Sequence, residues 1–150
     1  MNLINEYETT YVVRPDLTDD QMTKLTTKVE GIINDQGGTV LVTEDWGKRK
    51  LAYLIDRHNK GHYIYLGYCG PSNLVLEVER NLRNDDTLLR FLTVKLGTDV
   101  VADERRILAE DRRRMRVERM AALKAEEEAE ARYRAEAEEE EGDLGAELDE

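Results

Sequence analysis

The chain has 150 residues, 37% of them charged and 40% hydrophobic, enough for one ordinary domain with a modest core and some length to spare. Its single cysteine, Cys69, excludes an intrachain disulfide, and with no leader-like N-terminus and no membrane-length apolar run a soluble, cytoplasmic protein without a membrane partner is expected. The net charge of −11 is uneven: residues 1–100 hold 12 Lys/Arg against 15 Asp/Glu and residues 101–150 hold 10 against 18, so the acidic total does not exclude a polyanionic ligand for the first segment.

Tyr7 to Val13, rich in β-branched and aromatic residues, predicts a first strand, closed by Arg14-Pro15-Asp16. Thr18 to Gln21 has the form of a capping box, and Met22, Leu25, Val29, Ile32 and Ile33 follow at helical spacing until Gly37-Gly38. A second strand begins at Thr39 and resumes from Leu51 to Ile55, with a bulge or bend expected at Gly47. Asp56 to Gly61 reads as a polar hairpin loop and His62 to Cys69 as the third strand. Ser72 is the expected N-cap of a second helix with Leu74, Val75, Val78 and Leu82 on its buried side, and Leu89 to Leu96 is the fourth strand.

The order strand, helix, strand, strand, helix, strand predicts an α+β, ferredoxin-like βαββαβ fold, a four-stranded antiparallel sheet with both helices on one face. Residues 1–100 would form this domain. Residues 101–150 read as a charged extension, helical at first and disordered from about Glu136, because Ala, Glu and Arg dominate and no apolar stripe is sustained.

Little supports catalysis. His58 and His62 flank a loop with no third ligand near in sequence, Cys69 lacks a basic neighbour, and no phosphate-binding glycine loop or nucleophile motif occurs. No enzyme, metal, cofactor or small-molecule substrate is expected. Lys60-Gly61 followed by His62-Tyr63-Ile64-Tyr65 starts like the base-stacking strand of an RNA-recognition motif, but the aromatic and small positions then fail to match. Strand alternation turns Ile64, Leu66 and Tyr68 one way and Tyr63 and Tyr65 the other. With Leu51, Tyr53 and Ile55 assigned toward the helices, Val12, Leu54, Tyr63 and Tyr65 remain as an apolar patch on the open face, a candidate partner-binding surface. Lys48-Arg49-Lys50 beside Trp46 is either a solvated, aggregation-resistant edge or a phosphate-binding run.

Glu44-Asp-Trp-Gly-Lys-Arg-Lys-Leu-Ala-Tyr53 closely resembles the signature of the bacterial small-subunit ribosomal protein six family. Tyr7-Glu8, Pro15, Gly37, His62-Tyr63 and Asp86-x-x-Leu89-Arg90 match as well, over roughly residues 5–97, and Leu54 replaces a proline frequent in the family. The resemblance implies a structural role: binding small-subunit ribosomal RNA as a heterodimer with ribosomal protein eighteen, among other small-subunit platform proteins. On that basis Lys48, Arg49, Lys50 and Arg90 are the expected RNA contacts. The alternatives are a ferredoxin-like RNA-binding or ligand-binding regulatory module outside the ribosome, and a small acyl-phosphate hydrolase, disfavoured because Arg14-Pro15-Asp16 lacks a glycine-rich anion loop. In the extension, Arg105 to Arg119 holds seven arginines and three acids. It reads as a solvated, charge-laced helix, with contact along RNA as the alternative.

Overall fold

Alternating strands and two apolar helical stripes assemble, in the computed structural model, into β1 (Asn5–Val13), α1 (Asp19–Asp35), β2 (Thr39–Ile55), β3 (His58–Gly70), α2 (Leu74–Arg83) and β4 (Leu88–Gly97), followed by α3 (Ala102–Ala146). The structure describes residues 4–146, and side chains through residue 138. The sheet order is β2-β3-β1-β4, antiparallel throughout, which is the ferredoxin-like arrangement. The Thr18 side chain accepts from the Gln21 amide while the Gln21 side chain accepts from the Thr18 amide, so the capping box starts α1 as its sequence dictates. The cap of α2 falls at Asn73 rather than Ser72, without a side-chain hydrogen bond; the chain makes a turn through Pro71 and Ser72 before the helix begins.

Both helices cover one face of the sheet. Met22, Leu25, Val29 and Ile33 of α1 and Leu74, Val78 and Leu82 of α2 pack against Tyr7, Tyr11, Val13, Ile64, Leu66 and Tyr68. Each such aliphatic side chain contributes about 1.5–3 kcal/mol on burial, so this layer is the main source of stability. The tyrosines are satisfied within it: Tyr68 Oη lies 2.9 Å from Thr9 Oγ1, which is also 2.9 Å from Thr93 Oγ1.

The second and third strands form a longer hairpin than the sequence suggests. Ile55 pairs with His58, leaving only Asp56 and Arg57 in the turn, both at positive φ (46° and 67°). That is the turn geometry whose twist matches paired strands, so strand replaces the expected loop through Gly61. Because β1 stops pairing with β3 at His62, the stretch from Arg49 to Gly61 extends past it as a two-stranded arm.

Two compact units divide the chain, one ending at Glu110 and the other beginning at Asp111. The first turns of α3 belong with the sheet. The remainder is a continuous helix to Ala146, past the Glu136 at which disorder was expected, and residues 147–150 lie outside the described residues. Its Ala, Glu and Arg are strong helix formers, and pairs such as Arg134–Glu130 (2.6 Å) add local support.

Candidate nucleic-acid interface

The face of the sheet away from α1 and α2 is organised by the bulge at Gly47. Asp45 pairs with Ile64 but Gly47 with Tyr63, so one extra residue is accommodated, with Gly47 at φ +77° and its amide donating to Asp45 Oδ1 at 2.8 Å. Asp45 Oδ1 also pairs with His62 Nε2 at 2.5 Å, tying the bulge to β3. An extra residue reverses the alternation for everything after it. Arg49 therefore lies opposite Gly61 on the same face as Tyr63, while Lys48 and Lys50, opposite His62 and Lys60, turn to the other side. The basic triplet is split by face.

On this second face the side chains stack in layers. Trp46 lies on Tyr65 (centroids 5.3 Å apart, planes within 8°), and the Arg49 guanidinium lies over Trp46, 5.6 Å from its centroid. Tyr65 Oη donates to Glu8 Oε2 at 2.8 Å and Trp46 Nε1 to Glu44 Oε2 at 3.2 Å. The cation is thereby presented outward on a rigid aromatic support. A second pair lies at the other side of the sheet. Arg90, directly opposite Val12, extends its guanidinium over Tyr53, 5.2 Å from the ring centre. Since β2 and β4 are opposite edges of the sheet, this contact requires the arm to curl across its end, and the break in pairing between Lys50 and Ile55 permits that bend.

The expected partner patch is rearranged by this geometry. Leu51 and Tyr53 turn to the second face, not toward the helices, because of the bulge. Val12 is 8% exposed, and a Cβ on its neighbour Gly61 would collide with it and lie 3.3 Å from Leu51 Cδ2. Tyr65 is 7% exposed, under Trp46. Tyr63 is half-buried on this face, and Leu54 is exposed but, as the neighbour of Tyr53, points to the opposite side. Val12 and Tyr65 are thus supports for outer residues, and neither is free to stack a base. The exposed apolar residues of the second face include Tyr53 on the arm and Leu92 and Val94 on β4, in the rows through Thr10 and Glu8. Sequence reasoning missed the last two, although the same alternation applied to Leu88–Gly97 would have separated them from Phe91 and Thr93.

The face is not wholly open either. At the end near Glu6 and Cys69, Val100 and Ala109 pack with Leu41, Val42, Tyr65 and Cys69. The Val100 amide donates to the Ile4 carbonyl at 2.9 Å, and Arg105 Nη1 lies 3.4 Å from the buried carboxylate of Glu6. Burial, with Glu6 nearby, pushes the Cys69 thiol up to about 11, so this cysteine is an inert filler.

Among the described residues no cluster of three or more His, Cys, Asp or Glu could hold a metal, and no helix is long and apolar enough to cross a membrane. A cleft of about 260 Å³ beside α1, lined by Met22, Thr26, Thr43 and Asp45, lacks converging acid–base groups. The second face of this antiparallel α+β fold carries cations layered on aromatics beside exposed aliphatics, an open surface rather than a cleft. The ribosomal protein S6 family model matches residues 6–95, and the chain belongs to that family. It is accordingly a structural ribosomal protein of the cytoplasm and not an enzyme.

Small ribosomal subunit protein bS6 of Citrifermentans bemidjiense is 49% identical over 96 residues, covering 64% of this chain and 72% of the relative. The bS6 protein of Geobacter sp. strain M21 is 48% identical over the same length and shares. Among solved structures, 30S ribosomal protein S6 from Thermotoga maritima has the same fold, with a TM-score of 0.60 at 22% identity, covering 75% of this chain and 98% of that one.

Proposed function

We propose that this chain is a component of the small ribosomal subunit that binds its ribosomal RNA as a heterodimer with ribosomal protein eighteen, beside other platform proteins. The observation that carries the reading is the second sheet face, where Arg49 on Trp46 and Arg90 on Tyr53 stand near the exposed Leu92 and Val94. Family membership supports the ribosomal setting.

In this scheme the partner protein buries Leu92, Val94 and the outer edge of Tyr63. Arg49 and Arg90 contact RNA phosphates at the border of that footprint, and Lys48 and Lys50 do so from the other side of the arm. Arg57 and Lys60, which no sequence motif marks, belong to the same arm and enlarge the cationic surface. Arginine held flat on a ring loses less freedom on binding a phosphate than a free side chain would. A chain of net charge −11 is repelled by RNA at long range, so the partner's docking is needed to bring these cations to bear.

The test is titration of a platform fragment of small-subunit ribosomal RNA with the chain alone, with its partner alone, and with both. Cooperative binding of the pair is expected, and equal affinity for the chain alone would remove the heterodimer from the mechanism. K48A/R49A/K50A should weaken the complex and flatten its salt dependence by about 0.7–0.9 for each phosphate left without its cation. An unchanged slope would move the RNA-binding surface off the arm.

A further inference from the structure

The segment that carries Arg49 is a short piece of ladder with an irregularity at each end. Its pairing with β3 is broken between Asp45 and Gly47 and again between Lys50 and Ile55, so Gly47 to Lys50 form a block of their own. In the observed register Arg49 lies opposite Gly61 and Lys50 opposite Lys60. Removing the extra residue at the bulge would slide the block by one, setting Lys48 opposite Gly61 and Arg49 opposite Lys60. A one-residue slip turns every side chain to the other face. It would exchange Arg49 for Lys48 and Lys50 beside the aromatic stack. Charge repulsion does not choose between the two registers, because each sets a cation opposite Lys60. The slipped register also avoids the disrupted ladder that a bulge imposes.

What favours the bulged register is one carboxylate oxygen. Asp45 Oδ1 accepts from the Gly47 amide at 2.8 Å and lies 2.5 Å from His62 Nε2. The first contact is of the Asx-turn type, which a regular extended strand does not make. The second ties the carboxylate to β3, and the His62 side chain, 13% exposed, has little room to swing away. We infer that Asp45 and His62 are positioning residues for RNA binding, a latch that holds the register in which Arg49, rather than a lysine, lies over Trp46. The choice of cation matters because a guanidinium both stacks flat on a ring and offers phosphate a planar fork. The inference rests on the reading that Arg49 meets RNA phosphate.

The experiment uses the full-length chain. Cross-strand nuclear Overhauser contacts read the register, and titration of the platform RNA fragment in the presence of the partner protein reads binding. D45A removes both contacts of the latch, whereas D45N keeps an oxygen that can accept them. H62V releases the carboxylate from β3 and carries the test should D45A not fold. In D45A and H62V, contacts of Gly61 with Lys48 should replace those with Arg49. Binding should weaken about tenfold, the loss of one charge-assisted hydrogen bond, and D45N should restore both readouts. In an R49Q background, D45A should cost less than about a further twofold, since both changes act through one side chain. Contacts between Arg49 and Gly61 that persist in D45A and H62V overturn the inference. So does a D45A chain that has a lowered denaturant midpoint but binds as wild type does, or one whose loss is fully additive with R49Q; in both cases the proposed function stands. If the wild-type pair does not bind the fragment, the proposed function fails and the inference with it.

Discussion

Because Gly47 sits at φ +77° with open space where a Cβ would go, a substitution there tests backbone conformation without steric overlap. Gly47→Ala is expected to cost about 1–2 kcal/mol, measurable as a lowered denaturant midpoint. Trp46 is the only tryptophan, so its fluorescence should also report disruption of the stack with Tyr65 if the bulge relaxes. Unchanged emission would mean that the stack holds the bulge rather than the reverse. Gly61 presents the converse case, in which the conformation is ordinary and the space is filled by Val12 and Leu51. Gly61→Ala should overpack this region and destabilise by about 1–3 kcal/mol. A neutral result would show that the arm can lift off Val12. Both glycines act at the base of the arm that carries Arg49.

At the scale of elements, the β2–β3 arm is the least supported part of the sheet, since β1 does not pair with its outer portion. Its turn places Asp56 and Arg57 in left-handed conformations, which Asn and Gly adopt more readily. Replacing the pair with Asn-Gly is expected to raise stability by about 0.5–1 kcal/mol and to slow amide exchange in the arm. If exchange there is unaffected, the turn does not limit the arm's opening. Much at this scale could be read from the chain itself. The capping box, the buried stripes of α1 and α2 and the bulge at Gly47 are local features with local causes. The two-residue turn was hidden, because Asp56 to Gly61 is polar and strand pairing outweighs the loop preference of those residues. The assignment of Leu51 and Tyr53 to the helix side failed for a related reason. A residue pattern identifies a bulge, but which residues lie beyond it on each face depends on the partner strand's register.

For the molecule as a whole, the first turns of α3 should behave as part of the sheet domain. Ending the chain after residue 110 is expected to change the domain's stability by less than about 1 kcal/mol. Ending it after residue 100 removes Ala109 from the second-face cluster and Arg105 from the buried Glu6, at a cost of about 2–4 kcal/mol. Equal melting temperatures for the two truncations would show that this packing contributes nothing. The fold also sets an alkaline limit. Burial pushes Tyr11 up to about 12, and it pushes Tyr68 up to about 12 against the opposing hydrogen bond of Thr9. Unfolded tyrosines ionise near 10.0, so above that pH the unfolded chain binds fewer protons than the folded one and stability falls. The denaturant midpoint should therefore decline between pH 10 and pH 12, and less steeply in Tyr68→Phe. A flat midpoint across that window would contradict the burial of both hydroxyls.

The sequence by itself determined the order of elements, the two helical stripes, the ferredoxin-like class and the family, because each rests on short-range periodicity or on a contiguous signature from Glu44 to Tyr53. It also marked Lys48, Arg49, Lys50 and Arg90 as notable cations. Only the tertiary structure decided how they are displayed: Arg49 apart from Lys48 and Lys50, Arg90 over Tyr53 from the far edge, Tyr65 beneath Trp46, and one end of the face covered by Val100 and Ala109. The physical reason is that these relations join residues distant in the chain, through a bulge that reverses alternation and an arm that bends across the sheet. Neither effect leaves a periodic trace in the sequence.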